Sequence, residues 1–153
     1  MTTFDPDELP PTYDDRPERV IKAPDPVVQK RNRGNRQRGR RTERLWAALI
    51  NEALDRAGLV DFERAVSKGV AGGADVVWTI WAFECKHRHM GWPSNTTIKN
   101  ALVQAAANAD NRTPIVIACM TTHNRREWRF YNAVGMYMDA IDWLAERVEE
   151  LKE

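Results

Sequence analysis

Asp75-Val76-Val77-Trp78-Thr79-Ile80-Trp81-Ala82-Phe83-Glu84-Cys85-Lys86 is the stretch on which the reading of this chain turns. It is dense in β-branched and aromatic residues, which suit a pleated, half-buried surface. It reads as two short strands joined by a tight turn near Thr79, a turn that lacks the usual Gly, Asn or Asp. Side chains alternate faces along a strand. Glu84 and Lys86 therefore share one face, and Phe83 and Cys85 share the other. Pairing of the two strands brings Asp75 beside Glu84. Two carboxylates in one site repel each other unless a cation lies between them. Mg²⁺ suits such a place, because it takes oxygen ligands and often uses only one or two carboxylates. A neighbouring ammonium group, Lys86, can orient water or stabilise charge on phosphate oxygens.

Upstream, Leu45, Trp46, Leu49, Ile50, Ala53 and Leu54 recur at the spacing of an amphipathic helix, which the pattern places from Thr42 to a stop at Gly58. Leu59–Val66 alternates in part and reads as a strand, and Ser67–Gly73 as a glycine-rich loop. Before the helix lies a basic, glycine-punctuated run. From Lys30 to Arg44 it holds eight bases and one acid, Glu43. Such density next to the candidate cation site favours contact with phosphates, against the plainer reading of a solvated tail. Further upstream, residues 1–26 carry six of the eight prolines, seven acids and three bases. That segment nets −4 in a chain of +1, so the remainder is +5. Residues 1–29 read as a flexible acidic arm and 30–153 as a single domain.

Downstream, Pro93-Ser94-Asn95-Thr96 signals a helix start, and Ile98, Ala101, Leu102, Ala105 and Ala109 give that helix a small-residue face. Pro114–Met120 is an apolar run that reads as a strand buried on both faces. Trp128–Tyr131 is aromatic but too short to assign. Tyr137, Ile141, Leu144, Val148 and Leu151 form the stripe of a closing helix. This order of helix, three strands, helix, strand and helix describes an α/β fold with a small mixed sheet flanked by helices.

Asp75 followed by Phe83-Glu84-Cys85-Lys86 resembles the D…(D/E)-x-K signature of the PD-(D/E)XK nuclease superfamily, and the element order is similar to its restriction-endonuclease-like αβββαβ core, here with an added C-terminal helix. Within it, the chain looks most like archaeal-type Holliday junction resolvases. Gly39-Arg40-Arg41-Thr42-Glu43 fits their basic, glycine-containing entry to an acidic helix, Arg64 and Ser67 fit the loop before the aspartate, and Gln104 fits a glutamine of the next helix. The likeness covers about Arg36 to Tyr131. Ala74 stands where the motif's proline lies, and nine residues separate Asp75 from Glu84.

The resemblance implies a metal-dependent endonuclease that cuts branched DNA in recombination and repair, working as a homodimer on four-way junctions. It implies Mg²⁺, with Mn²⁺ as a substitute, held by Asp75, Glu84, the backbone carbonyl of Cys85, and Glu43. Lys86 would assist the attacking water, with Ser67 and Gln104 as further site residues. Expected DNA contacts are Arg33, Arg36, Arg38, Arg40, Arg41, Arg64, Lys68, His87 and Arg88. The C-terminal stripe serves either as the dimer seam or as packing for its own sheet.

Plainer readings stand beside these. Glu84 and Lys86 can be a solvated ion pair at a strand end. Asp75 can be a turn aspartate, and Glu43 an acid of a helix's first turn. Gln104 reads as a surface residue and Ser67 as an ordinary loop serine. The same fold can serve a restriction-like or end-processing nuclease, or a DNA-binding module without catalysis. Cys85, His87 and His89 alternate on one face, with Cys119 and His123 beyond, but zinc needs four convergent ligands. Trp92 and Trp128 can stack on bases or simply pack. Two cysteines make no disulfide framework, no apolar run reaches the length of a membrane span, and the acidic N-terminus, without an apolar stretch, does not read as a leader. A reducing cytoplasm is the expected location.

Overall fold

The computed structural model describes residues 25–69 and 73–153. The expected arm lies outside them except for its last five residues, which begin the first helix. Helix α1 runs Pro26–Arg56. Asp25 caps it through a carboxylate that accepts from the Val27 N–H at 2.8 Å, and Pro26 supplies a preset first turn. The basic stretch is therefore helical, not a lead-in to a helix starting at Thr42. Arginine and lysine are good helix formers, which offsets Gly34 and Gly39.

The sheet has six strands in sequence order: β1 Val66–Ser67, β2 Val76–Trp78, β3 Trp81–His89, β4 Thr113–Thr122, β5 Arg125–Tyr131 and β6 Tyr137–Asp139. Neighbours are antiparallel except β3 and β4, which are parallel. A parallel pair needs a crossover, and helix α2, Asn95–Asn108, provides it. Ser94 caps α2 by accepting from the Thr97 N–H. Helix α3, Ala140–Glu150, closes the chain.

Alternation along β3 divides the molecule into layers. Phe83 and Cys85 join Ile115, Ile117, Trp128 and Phe130 against α1 and α3. Val116, Ala118 and Tyr131 pack on Ile98, Ala101 and Ala105 of α2. The small residues on α2 let that helix lie close to the sheet, as the sequence indicates. Rings fill the first layer: Trp46 meets Phe83 edge-on at 5.8 Å, and Trp143 stacks on Phe130 at 4.6 Å. No helix among the described residues is long and apolar enough to cross a membrane.

Three expectations need correction. Leu59–Ala65 is not a strand, and only Val66 and Ser67 pair with β2. The Asn51 side chain takes the Ala65 backbone at both ends, accepting from its N–H at 2.8 Å and donating to its carbonyl at 3.1 Å. Those are the groups that a ladder would have used. Tyr137 belongs to β6 and not to the last helix. Asp139 caps α3 by accepting from Ile141 N–H and Asp142 N–H, so the helix begins after it. The sheet is also larger than expected, because Arg125–Tyr131 and Tyr137–Asp139 add two strands beyond β4.

Candidate metal and nucleic-acid site

Val76 pairs with Phe83 across β2 and β3. Just before β2, Asp75 donates its N–H to the Phe83 carbonyl at 3.0 Å, so backbone pairing reaches it. Its carboxylate then turns onto β3, where Oδ2 accepts from the Cys85 N–H at 2.7 Å. This fixes one oxygen of Asp75 beside the residue that follows Glu84. The tight turn of Thr79 and Ile80 creates the pairing. Thr79 has φ +49°, and its strain is held by Arg112 Nε donating to its carbonyl at 3.1 Å.

Glu84 is almost wholly buried, with 2% of its surface exposed. Lys86 stands two residues on and reaches the same face, donating from Nζ to Glu84 Oε1 at 2.7 Å. Glu84 Oε2 is buried without a hydrogen-bond partner. Such an orphan carboxylate oxygen is costly in low dielectric. Burial pushes the Glu84 carboxyl above its usual range; the Lys86 contact opposes this, and the Asp75 charge adds to it. Asp75 is raised by burial too, against the Cys85 N–H and Lys86. Glu43 of α1 is raised by burial and then by the charges of both Asp75 and Glu84. Glu43 of α1, Asp75 just ahead of β2 and Glu84 of β3 thus sense one field, opposed by Lys86 at Asp75 and Glu84 and by Arg40 and Arg44 at Glu43.

Among the described residues, no three His, Cys, Asp or Glu side chains are arranged to hold a metal. Asp75 Oδ2 is taken by a backbone N–H and Glu84 Oε1 by Lys86, which leaves the second oxygen of each carboxylate, Asp75 Oδ1 and the buried Glu84 Oε2, as candidate donors. The donor set is all oxygen, and Mg²⁺ binds through one or two carboxylates with water completing its shell. The residues present therefore fit a hard divalent cation.

The other sequence candidates are distributed more widely. Ser67 lies half-buried in β1 opposite Val76. The Lys68 N–H donates to the Asp75 carbonyl at 2.9 Å, and its side chain is exposed. Gln104 is exposed on α2. Arg64, expected on the DNA path, is engaged inside the chain. It donates to the Asn51 and Val60 carbonyls and pairs with Asp55. Arg33, Arg36, Arg38, Arg40 and Arg41 are exposed along α1, and Arg88 is exposed near the end of β3. The His87 ring is bonded to Thr121 Oγ1 at 2.9 Å.

Cys85 and Cys119 are buried in the apolar layer, where burial pushes both thiols up. Trp128 is buried in the core, and Trp92 lies under the Arg129 guanidinium at 4.0 Å. One basic residue went unnoticed in the sequence: Arg126, which lines one cavity with Arg38, Arg41, His87 and His89. Nothing in the local pattern marked it.

Comparison with protein-family models, curated proteins and solved structures gives no match.

Proposed function

We propose that this chain is a metal-dependent endonuclease acting on DNA, with a restriction-endonuclease-like core most similar to archaeal-type Holliday junction resolvases. The reading is carried by one observation: a buried Glu84 whose Oε2 has no partner, with Asp75 fastened alongside through Cys85 N–H and Lys86 seated on the other oxygen. The run from α1 through β1, β2, β3 and α2 to β4, with β3 and β4 parallel, supports the fold assignment.

Asp75 and Glu84 would hold Mg²⁺, or Mn²⁺ in its place, with the Cys85 carbonyl and Glu43 completing the protein's share. When bound, the ion neutralises the carboxylates and makes a phosphate more electrophilic. Lys86 orients the attacking water and stabilises charge gathering on the phosphate oxygens. The Cys85 N–H holds Asp75 in one orientation, and burial of Glu84 keeps its field undiluted by water. The exposed arginines of α1 bind the strand through its phosphates. Symmetric cutting of a four-way junction calls for two copies of the chain.

Cleavage of a synthetic four-way junction, set against a linear duplex of the same sequence, with Mg²⁺ and with chelator, tests this. Junction-selective, Mg²⁺-dependent cutting that disappears in Asp75→Ala and Glu84→Ala is expected. Cutting of the linear duplex alone would replace the junction substrate with a restriction-like one. A second reading, a DNA-binding module without catalysis, is favoured by the Lys86–Glu84 pair, since a lysine already serves as counter-charge. Junction binding without cleavage under any divalent ion would establish that reading and end the first.

A further inference from the structure

Arg38 and Arg41 of α1, His87 and His89 of β3, Thr121 of β4 and Arg126 of β5 surround a cavity of about 170 Å³. The sheet register builds its floor. His89 is aligned with Thr121 across β3 and β4, and Thr121 with Arg126 across β4 and β5. The three therefore form one row across three strands, with side chains on the same face. Above the row, Thr42 fixes the helix side: its buried hydroxyl donates to the Arg38 carbonyl at 3.1 Å. His87 is held by its bond to Thr121.

No carboxylate lines this cavity or the groove that shares Arg38, His87 and His89 with it and is lined by Lys86 as well. Among the described residues, Arg38, Arg41, Arg88 and Arg126 make no ion pair, whereas Arg56, Arg64 and Arg147 each pair with an acid. Like charges gathered from three elements repel unless an anion lies between them. Arginine's planar fork and the Thr121 hydroxyl are donors that suit phosphate oxygens.

We infer that this cavity is a phosphate pocket that anchors the DNA strand beside the Asp75–Glu84–Lys86 site. The inference takes its substrate from the nuclease reading, although its charge does not depend on catalysis. Lys86 and His89 are three residues apart on β3, about 10 Å of strand, and although they leave opposite faces both border the groove along α1. The anchored phosphate is therefore a near neighbour of the one at the site on the same strand. It is either a bridging phosphodiester of a continuous strand or a terminal monophosphate at a break.

The test is metal-free binding by the full chain at several salt concentrations, which needs no catalysis. The probes are one duplex with a 5′-hydroxyl and the same duplex with a 5′-phosphate. The variants are Arg126→Gln and Arg38→Gln, with Lys99→Gln on α2 as a control of equal charge change. Expected is an affinity loss of about tenfold in each pocket variant and a salt dependence shallower by about one unit, with Lys99→Gln close to wild type. Arg126→Lys should restore the salt slope while recovering only part of the affinity. Equal loss on both duplexes identifies a bridging phosphate; loss confined to the phosphorylated duplex identifies a terminal one. Behaviour of both pocket variants like Lys99→Gln, with melting curves like wild type, overturns the pocket. Should the pocket variants weaken binding while no divalent ion supports cutting, the nuclease reading falls and the pocket stands. Normal cleavage with unaltered binding in the pocket variants gives the reverse.

Discussion

Glu84 is the residue whose environment is hardest to explain without a ligand. It is buried, has one oxygen on Lys86 and has none on the other. Lys86→Ala would leave the carboxylate with no partner at all. That variant is expected to lose cleavage by about 10²- to 10³-fold and also to melt lower, because truncating one partner of a buried pair strands the other. Glu84→Gln is expected to abolish cleavage while raising the melting temperature of the metal-free protein. The combination separates a site residue from a purely structural one, since loss of a structural contact lowers stability. Thr79 offers a stability test away from the site. It occupies the first position of the two-residue turn between Trp78 and Trp81 with φ +49°, a position that favours glycine. The flanking Trp78–Trp81 contact at 5.2 Å and the Arg112 bond hold the turn closed despite the strain. Thr79→Gly is expected to stabilise the fold by about 0.5–1 kcal/mol, read from urea melts; a drop in midpoint would mean that the turn is not strained.

Helix α1 spans 31 residues, about 46 Å at 1.5 Å per residue, and its two halves differ. From Thr42 on it is nailed to the sheet by Trp46, Ile50 and Leu54, all fully buried. Its N-terminal half carries exposed Arg36 and Arg40, which with Arg44 beyond them repeat every four residues, a spacing at which like charges disfavour helix. A phosphate backbone bound there, as the proposed function has it, would relieve that repulsion. Hydrogen exchange of amides in residues 29–41 is therefore expected to slow when duplex DNA is added, with little change in 46–54. Unchanged exchange in both halves would remove α1 from the DNA path. The same contrast explains what the sequence made legible. The buried half of α1 and the strands flanking Thr79 declare themselves through apolar periodicity, and period-two alternation suffices to set Glu84 and Lys86 on one face. The N-terminal half of α1 follows from an Asp25 cap and charge tolerance, which leave no apolar signature. Leu59–Ala65 misleads because Asn51, a distant side chain, captures the backbone that its alternation promised to a ladder. Tyr137 misleads because a strand residue happened to fall four positions before Ile141. Arg126 joined the basic cavity through a β4–β5 register that no short motif encodes.

At the scale of the whole molecule, the buried acidic cluster couples folding to protons and, on the proposed reading, to a divalent ion. Glu43, Asp75 and Glu84 all have carboxyls raised by burial. For an acid raised on folding, the native state holds its proton more tightly than the unfolded chain. The stabilisation is complete below the unfolded carboxylate range, about pH 4, and is lost as pH climbs through the raised native values. His87 acts in the other direction. Burial, then Arg38 and Arg126, lower its pKa, so its contribution is lost as pH falls from about 6.5 through its native value. The metal-free chain should therefore be penalised at neutral pH by its ionised acids. An ion that binds only the ionised cluster would lift this penalty by RT ln(1 + [L]/Kd), about 2.7 kcal/mol at a hundredfold excess over Kd. For a chain of this length that corresponds to a rise of about 5–10 °C in Tm. Thermal melts with chelator and with saturating Mg²⁺, at about pH 5 and about pH 8, are expected to show the rise at the higher pH and little of it at the lower, where protons compete. Glu84→Gln should erase the Mg²⁺ effect and weaken the pH dependence together, because Glu84 contributes to both while Glu43 and Asp75 still titrate. A Mg²⁺ shift of equal size at both pH values, or one that survives in Glu84→Gln, would place the ion elsewhere and leave the buried acids as a cost of the fold alone.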